Sequence, residues 1–153
     1  MPLVRALCST LCRAQETAEL VLAGRDVPLT SHAALCEREL GAWATRSIDA
    51  VRAEHGDAIW SWDQQAPGGE SGGQVAARAL EFLRRVPPVE GPTLVVCHGG
   101  VIRGLLGLVA QTPYGVIGQR KIPNAVPIPV SLGPLGWAGV WAQHESELEP
   151  LLP

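Results

Sequence analysis

The 153-residue sequence has no apolar run long enough to span a bilayer. Its most apolar stretch, Val101 to Ala110, is short and carries Arg103. No charged region followed by a clean apolar segment opens the chain, so nothing there reads as a signal peptide. Basic clusters are also missing, and the formal charge is −3, which argues against nucleic acid or an anionic membrane as partner. The four cysteines, Cys8, Cys12, Cys36 and Cys97, never form a C-x-x-C pair. That excludes the usual zinc and disulfide frameworks and favours free thiols in a reducing cytoplasm. There is no internal repeat and no long linker. With 46% apolar residues the chain can bury a real core, so one domain over residues 1–153 is expected.

The stretch around which the rest is arranged is TLVVCHGGVIRGLL, Thr93 to Leu106. Thr93 to Val96 read as a buried strand of a parallel sheet. Cys97 and His98 fall at its end, Gly99 and Gly100 permit a tight turn, and an apolar helix follows. Helix N-termini offer unpaired N–H groups and the positive end of the dipole, which suits phosphate. A histidine there can carry a proton or a phosphoryl group. A second strand–turn–helix unit opens the chain. Leu3 to Cys8 form its strand, Thr10 caps a helix to about Ala23, and Gly24 stops it. Leu11, Ala14, Ala18 and Val21 share a face, while Arg13 lies in the first turn. Polar groups of both units then meet at the carboxyl ends of the strands, where open α/β sheets bind ligands.

Between these units, Gly24 to Leu35 read as a loop with a short strand. A helix capped by Thr45 runs to about His55, with Ile48, Val51 and His55 on one side and Gly56 ending it. Ser71 and Gln74 make a capping box for a helix with Val75, Ala79, Phe82 and Val86 at core spacing. Beyond the last apolar helix, Val126 to Leu132 and Trp137 to Trp141 read as short strands, and the tail from Glu145 as loose.

Arginine can clamp phosphate oxygens, a carboxylic acid can protonate a leaving alkoxide, and histidine can stabilise or accept a phosphoryl group. Arg13, Glu37 and His98 supply these three groups, although each alone is more often structural. The words around them are more specific. Ser9-Thr10-Leu11-Cys12-Arg13-Ala14, continuing to Thr17-Ala18, resembles the S-x-L-x-R-A-x-x-T-A motif of the histidine phosphatase superfamily, the phosphoglycerate-mutase-like proteins. Leu35-Cys36-Glu37 with Gly41 and Trp43 is similar to that family's L-x-E-x-x-x-G-x-W. Pro67 to Ser71 resembles its P-G-G-E-S loop, and Cys97-His98-Gly99-Gly100 its second-histidine motif. Asn124-Ala125 resembles a further element.

The resemblance covers about residues 4 to 145, with the motifs in family order. It implies a three-layer α/β/α sandwich with a mostly parallel sheet. It further implies phosphate binding by Arg13, His98 and Gly99, acid–base work by Glu37, a small phosphomonoester as substrate, and no metal or other cofactor. The family mechanism passes the phosphoryl group to a nucleophilic histidine of an Arg-His-Gly motif that ends the first strand. Here Arg5 is followed by Ala6 and Leu7, so the first strand and helix are expected to be absent, together with the nucleophile. The expected consequences are a gap or open edges in the sheet, a tendency to self-associate, and an inactive or merely phosphate-binding chain. A different class remains as a rival. Cys97 and Arg103 have the C-x(5)-R spacing of cysteine-dependent phosphatases and rhodanese-like proteins, although Val96 precedes the cysteine and Gly104 follows the arginine.

Overall fold

The computed structural model describes residues 2–153. β1 (Arg5–Cys8) leads into α1 (Cys12–Leu22), then β2 (Leu29–Ser31), α2 (Ile48–His55), α3 (Gly72–Arg85), β3 (Thr93–Val96) and α4 (Gly99–Ala110). A one-turn α5 (Tyr114–Ile117) and α6 (Gly136–Leu148) complete the chain, with short 3-10 turns between elements. The three strands lie in the order β2-β1-β3, all parallel. Parallel neighbours need crossovers, and α1 makes one while the long segment containing α2 and α3 makes the other.

Val95 packs on the main core with Leu7, under Val75, Ala79, Leu80 and Leu83 of α3 and Val101, Leu105 and Leu108 of α4. Ala6 and Cys8 alternate to the other side of the pleat and are equally buried. α1 packs against β1 and β3, burying Ala14, Ala18 and Leu22. α3 and α4 approach closely at Gly104, where a Cβ would stand 2.8 Å from that of Ala76. A second, smaller cluster of Trp43, Val51, Ala58, Ile59 and Ala66 sits under the α2 region.

Several sequence expectations are met and several are corrected. Ser71 and Gln74 do form the capping box of α3. α1 begins one turn-position later than Thr10 implies: Leu11 is its N-cap, and Ser9 rather than Thr10 receives the Leu11 N–H. Val21 faces water, and α2 is capped by Ser47, not Thr45, with only Val51 buried. No gap divides the sheet, because β1 pairs directly with β3 in the register Arg5↔Thr93 to Cys8↔Val96.

The largest miss is at the C-terminus. Trp137 to Trp141 are helical, within α6, and the tail is anchored by Leu148, which is wholly buried. Trp137, Val140, Trp141, His144 and Leu148 recur at helical spacing, and packing on α3 outweighs the β preference of Trp and Val. Val126 to Leu132 form no strand; Pro127 and Pro129 remove two donors, and among the described residues no partner strand faces them.

Candidate active site

The β1–β3 register places the ends of the two strands side by side. Ser9 N–H donates to the Val96 carbonyl at 3.0 Å, continuing the ladder one residue past the strands. Ser9 therefore faces His98, and Ser9 Oγ lies 2.8 Å from His98 Nε2. His98 is the N-cap residue of α4 and is buried. Gly99, the first residue of that helix, has no intrahelical carbonyl for its N–H.

Glu37 reaches the same helix end. Its carboxylate accepts the Gly100 N–H at 3.0 Å through Oε1, and the same oxygen accepts the Arg38 N–H at 2.9 Å. A Cβ on Gly100 would stand 2.4 Å from that oxygen, so only glycine leaves room for the contact. Arg13 is exposed on the first turn of α1, the helix that follows β1, and its positive charge bears on His98. Burial pushes the His98 pKa below its ordinary 6.5, Glu37 pulls it back up, and Arg13 and Arg78 push it further down. The structure thus gathers Arg13, Glu37, His98 and Gly99 at one strand end, with the imidazole favoured as the neutral base.

Four further residues build the site, and sequence reasoning gave none of them a role. Arg78 donates to the carbonyls of Ala34, Cys36 and Glu37 at 2.7, 3.0 and 3.2 Å, and forms a two-point ion pair with Glu70 at 2.7 and 2.9 Å. It straps the loop carrying Glu37 onto α3. Glu70 also accepts the Glu39 N–H at 3.0 Å; burial opposes its charge, but Arg78 and that N–H hold its carboxyl below the usual range. Arg38 is buried and donates to the carbonyls of Glu70, Ile59 and Gln64 at 2.6, 2.5 and 3.0 Å. Ser9 is the fourth. A signal for Arg78 was present: it falls between Val75 and Ala79 on the otherwise apolar stripe of α3, where a charge needs buried partners.

The cysteine alternative does not survive the geometry. Cys97 is half-buried with its side chain against the main core, and desolvation there pushes its thiol up to about 12, which disfavours a thiolate nucleophile. Arg103 folds back along α4 towards Gly99 and over Trp60. The other histidines lie elsewhere. His32 stacks on Phe82, His55 sits beside Trp43, and His144 bonds the Leu108 carbonyl. Among the described residues, no group of three or more His, Cys, Asp or Glu side chains clusters as metal ligands would. Among the described residues, no helix is long and apolar enough to cross a membrane.

A strand-end histidine at a helix N-cap, a carboxylate on that helix's first turn and an arginine on the helix after the neighbouring strand stand on one parallel α/β sheet. Residues 1–140 match the sequence profile of the histidine phosphatase superfamily (branch 1), and the chain belongs to that superfamily. It is 35% identical over 136 residues to a 2,3-bisphosphoglycerate-dependent phosphoglycerate mutase of Bradyrhizobium sp. (strain ORS 278), covering 80% of this chain and 65% of that protein. Among solved structures, Bacillus stearothermophilus YhfR superposes with a TM-score of 0.66 at 32% identity, over 79% of this chain and 63% of YhfR. The alpha-ribazole phosphatase from Shigella flexneri gives 0.61 at 28% identity, over 76% and 61% of the two chains. The chain therefore spans a little under two thirds of the length of these relatives.

Proposed function

We propose that this site binds the phosphoryl group of a small phosphomonoester and that its chemistry is that of a phosphatase. The supporting observation is the convergence of Arg13, His98 and the free N–H of Gly99 around one helix N-terminus, with Glu37 fixed beside it. Arg13 and the helix end neutralise the phosphoryl oxygens, and His98 donates or accepts a proton at the transferring group. Glu37 exchanges the proton of the ester oxygen. The phosphatase reading is favoured over a mutase reading because the segment between the Glu37–Trp43 and Pro67–Ser71 motifs is small, holding α2 and a 3-10 turn, which leaves little chain there to close over a second phosphorylated substrate.

A second reading follows from the histidines. None of His32, His55 and His144 stands with His98, so the 153-residue chain by itself offers a phosphate-ester site without a second histidine to take the phosphoryl group. On this second reading the chain binds inorganic phosphate saturably, loses that binding in Arg13→Ala, and releases p-nitrophenol from p-nitrophenyl phosphate at the background rate, whereas the first reading requires turnover above it. Turnover that disappears in His98→Ala would make His98 the phosphoryl acceptor and overturn the second reading. Absence of phosphate binding in the wild type would overturn the first.

A further inference from the structure

Ser9 is wholly buried at the end of β1, where its hydroxyl meets three polar atoms. Leu11 N–H donates to Ser9 Oγ at 3.1 Å. His98 Nε2 lies 2.8 Å from the same oxygen, and Cys36 Sγ lies 3.4 Å from it. A hydroxyl has one proton and two lone pairs. Leu11 occupies one lone pair, leaving one proton and one lone pair for His98 and Cys36 together. These two side chains cannot both donate to Ser9, nor can both accept from it. If the sulfur accepts, Ser9 must receive Nε2–H from a neutral His98. If the S–H donates, Ser9 gives its proton to a bare Nε2, and the ring proton sits on Nδ1.

The surroundings decide between these states. Thr10 Oγ1 lies 3.1 Å from Cys36 Sγ and can give it a second O–H. Arg78, which donates to the Cys36 carbonyl at 3.0 Å, brings positive charge to the same residue. Both favour sulfur as acceptor. Burial opposes them, yet the Ser9 and Thr10 hydroxyls with Arg78 bring the Cys36 thiol below its ordinary 9.0.

We propose that Ser9 is a positioning residue for His98: with its proton directed at Cys36 Sγ, its remaining lone pair holds the imidazole in the Nε2–H form and leaves Nδ1 as the basic nitrogen. Nδ1 has no hydrogen-bond partner among the described residues, so it is the nitrogen free to take a proton. The charged groups that bear on the ring are Glu37 from the loop after β2, Arg13 from α1 and Arg78 from α3. The cysteine is thereby part of the site without being a nucleophile, and its state is read by His98 through one hydroxyl. The functional weight of this relay rests on the phosphate-site reading above, whereas the tautomer itself is a property of the fold.

Nitrogen-15 NMR of the full chain at about pH 8, where an imidazole is neutral, reads the two ring nitrogens of His98 separately. The wild type should show a protonated Nε2 and a bare Nδ1. Ser9→Ala should move both signals towards the average of a mixed tautomer, Ser9→Thr should restore them, and Cys36→Ala should shift the ring towards Nδ1–H. Signals of His32, His55 and His144 that stay in place certify that a variant is folded. If Ser9→Ala does not fold, Cys36→Ala and Ser9→Thr carry the test. A wild-type Nδ1–H tautomer, or identical His98 signals in the wild type and the folded Ser9 or Cys36 variants, overturns the proposal. Inorganic phosphate added to the wild-type sample separates the two claims. Failure to move any His98 signal counts against the phosphate site alone, and unchanged tautomers across the variants count against the relay alone.

Discussion

The acidic and the cationic sides of the His98 site are built in opposite ways. Glu37 is tied down: its carboxylate holds two backbone N–H groups, its carbonyl takes a bond from Arg78, and the adjoining Arg38 grips three more carbonyls. Arg13 is exposed on α1, and its guanidinium makes no ion pair among the described residues. Held on the helix end by backbone donors, Glu37 leaves the Arg13 charge available to an incoming anion. One side is fixed by the fold, while the other has no ion-pair partner among the described residues.

This contrast breaks most visibly at Arg38. Arg38→Ala strands three carbonyls in the interior and should lower stability by about 3 kcal/mol or more, read as a fall in the urea midpoint at constant slope. Gly100→Ala comes next. The added methyl must displace Glu37 Oε1, at a cost of about 1–3 kcal/mol. In a double-mutant cycle with Glu37→Ala the two losses should fall short of their sum; full additivity would mean that the contact is not made.

On the cationic side the expectation reverses. Arg13→Ala should weaken phosphate binding about tenfold or more, equivalent to about 1.4 kcal/mol, while thermal stability shifts by no more than about 0.5 kcal/mol. A large loss of stability would show Arg13 to be part of the scaffold after all. The smallest effect concerns pH. The folded-state pKa of His98 lies below its ordinary 6.5, so the unfolded chain binds the proton first as pH falls. The stability contributed by neutral His98 is complete above about 6.5 and declines as pH drops from that value towards the folded pKa. Melting curves across this window should be flatter in His98→Gln than in the wild type.

How much of this was legible in the sequence follows the same divide. Motif-bearing positions at strand ends and helix starts were readable, because Gly99-Gly100 and the Ser71–Gln74 pair are local signals that dictate local geometry. Arg13, Glu37 and His98 could be singled out from their neighbours. What was not legible depends on pairing across the chain. That Ser9 would stand beside His98 required the register of β1 against β3, 88 residues apart at Arg5 and Thr93. The grip of Arg38 on Ile59 and Gln64 has no local signature. α6 was misread for the same reason: Trp137 and Trp141 favour strands in isolation, and only the surface of α3 with Arg84 stacked over Trp141 makes the helix the better burial. The rival built on Cys97 could not be weighed from spacing alone, because spacing says nothing about the desolvation that raises its thiol pKa.

The central claim is that Arg13 and His98 form one anion site although they come from different strand–helix units. Calorimetric titration of inorganic phosphate into the wild type, Arg13→Ala, His98→Gln and the double variant tests it most directly. Single-site binding is expected in the wild type, weakening in each single variant, and a loss in the double variant smaller than the sum of the two. Strictly additive losses, or binding that ignores either residue, would contradict it.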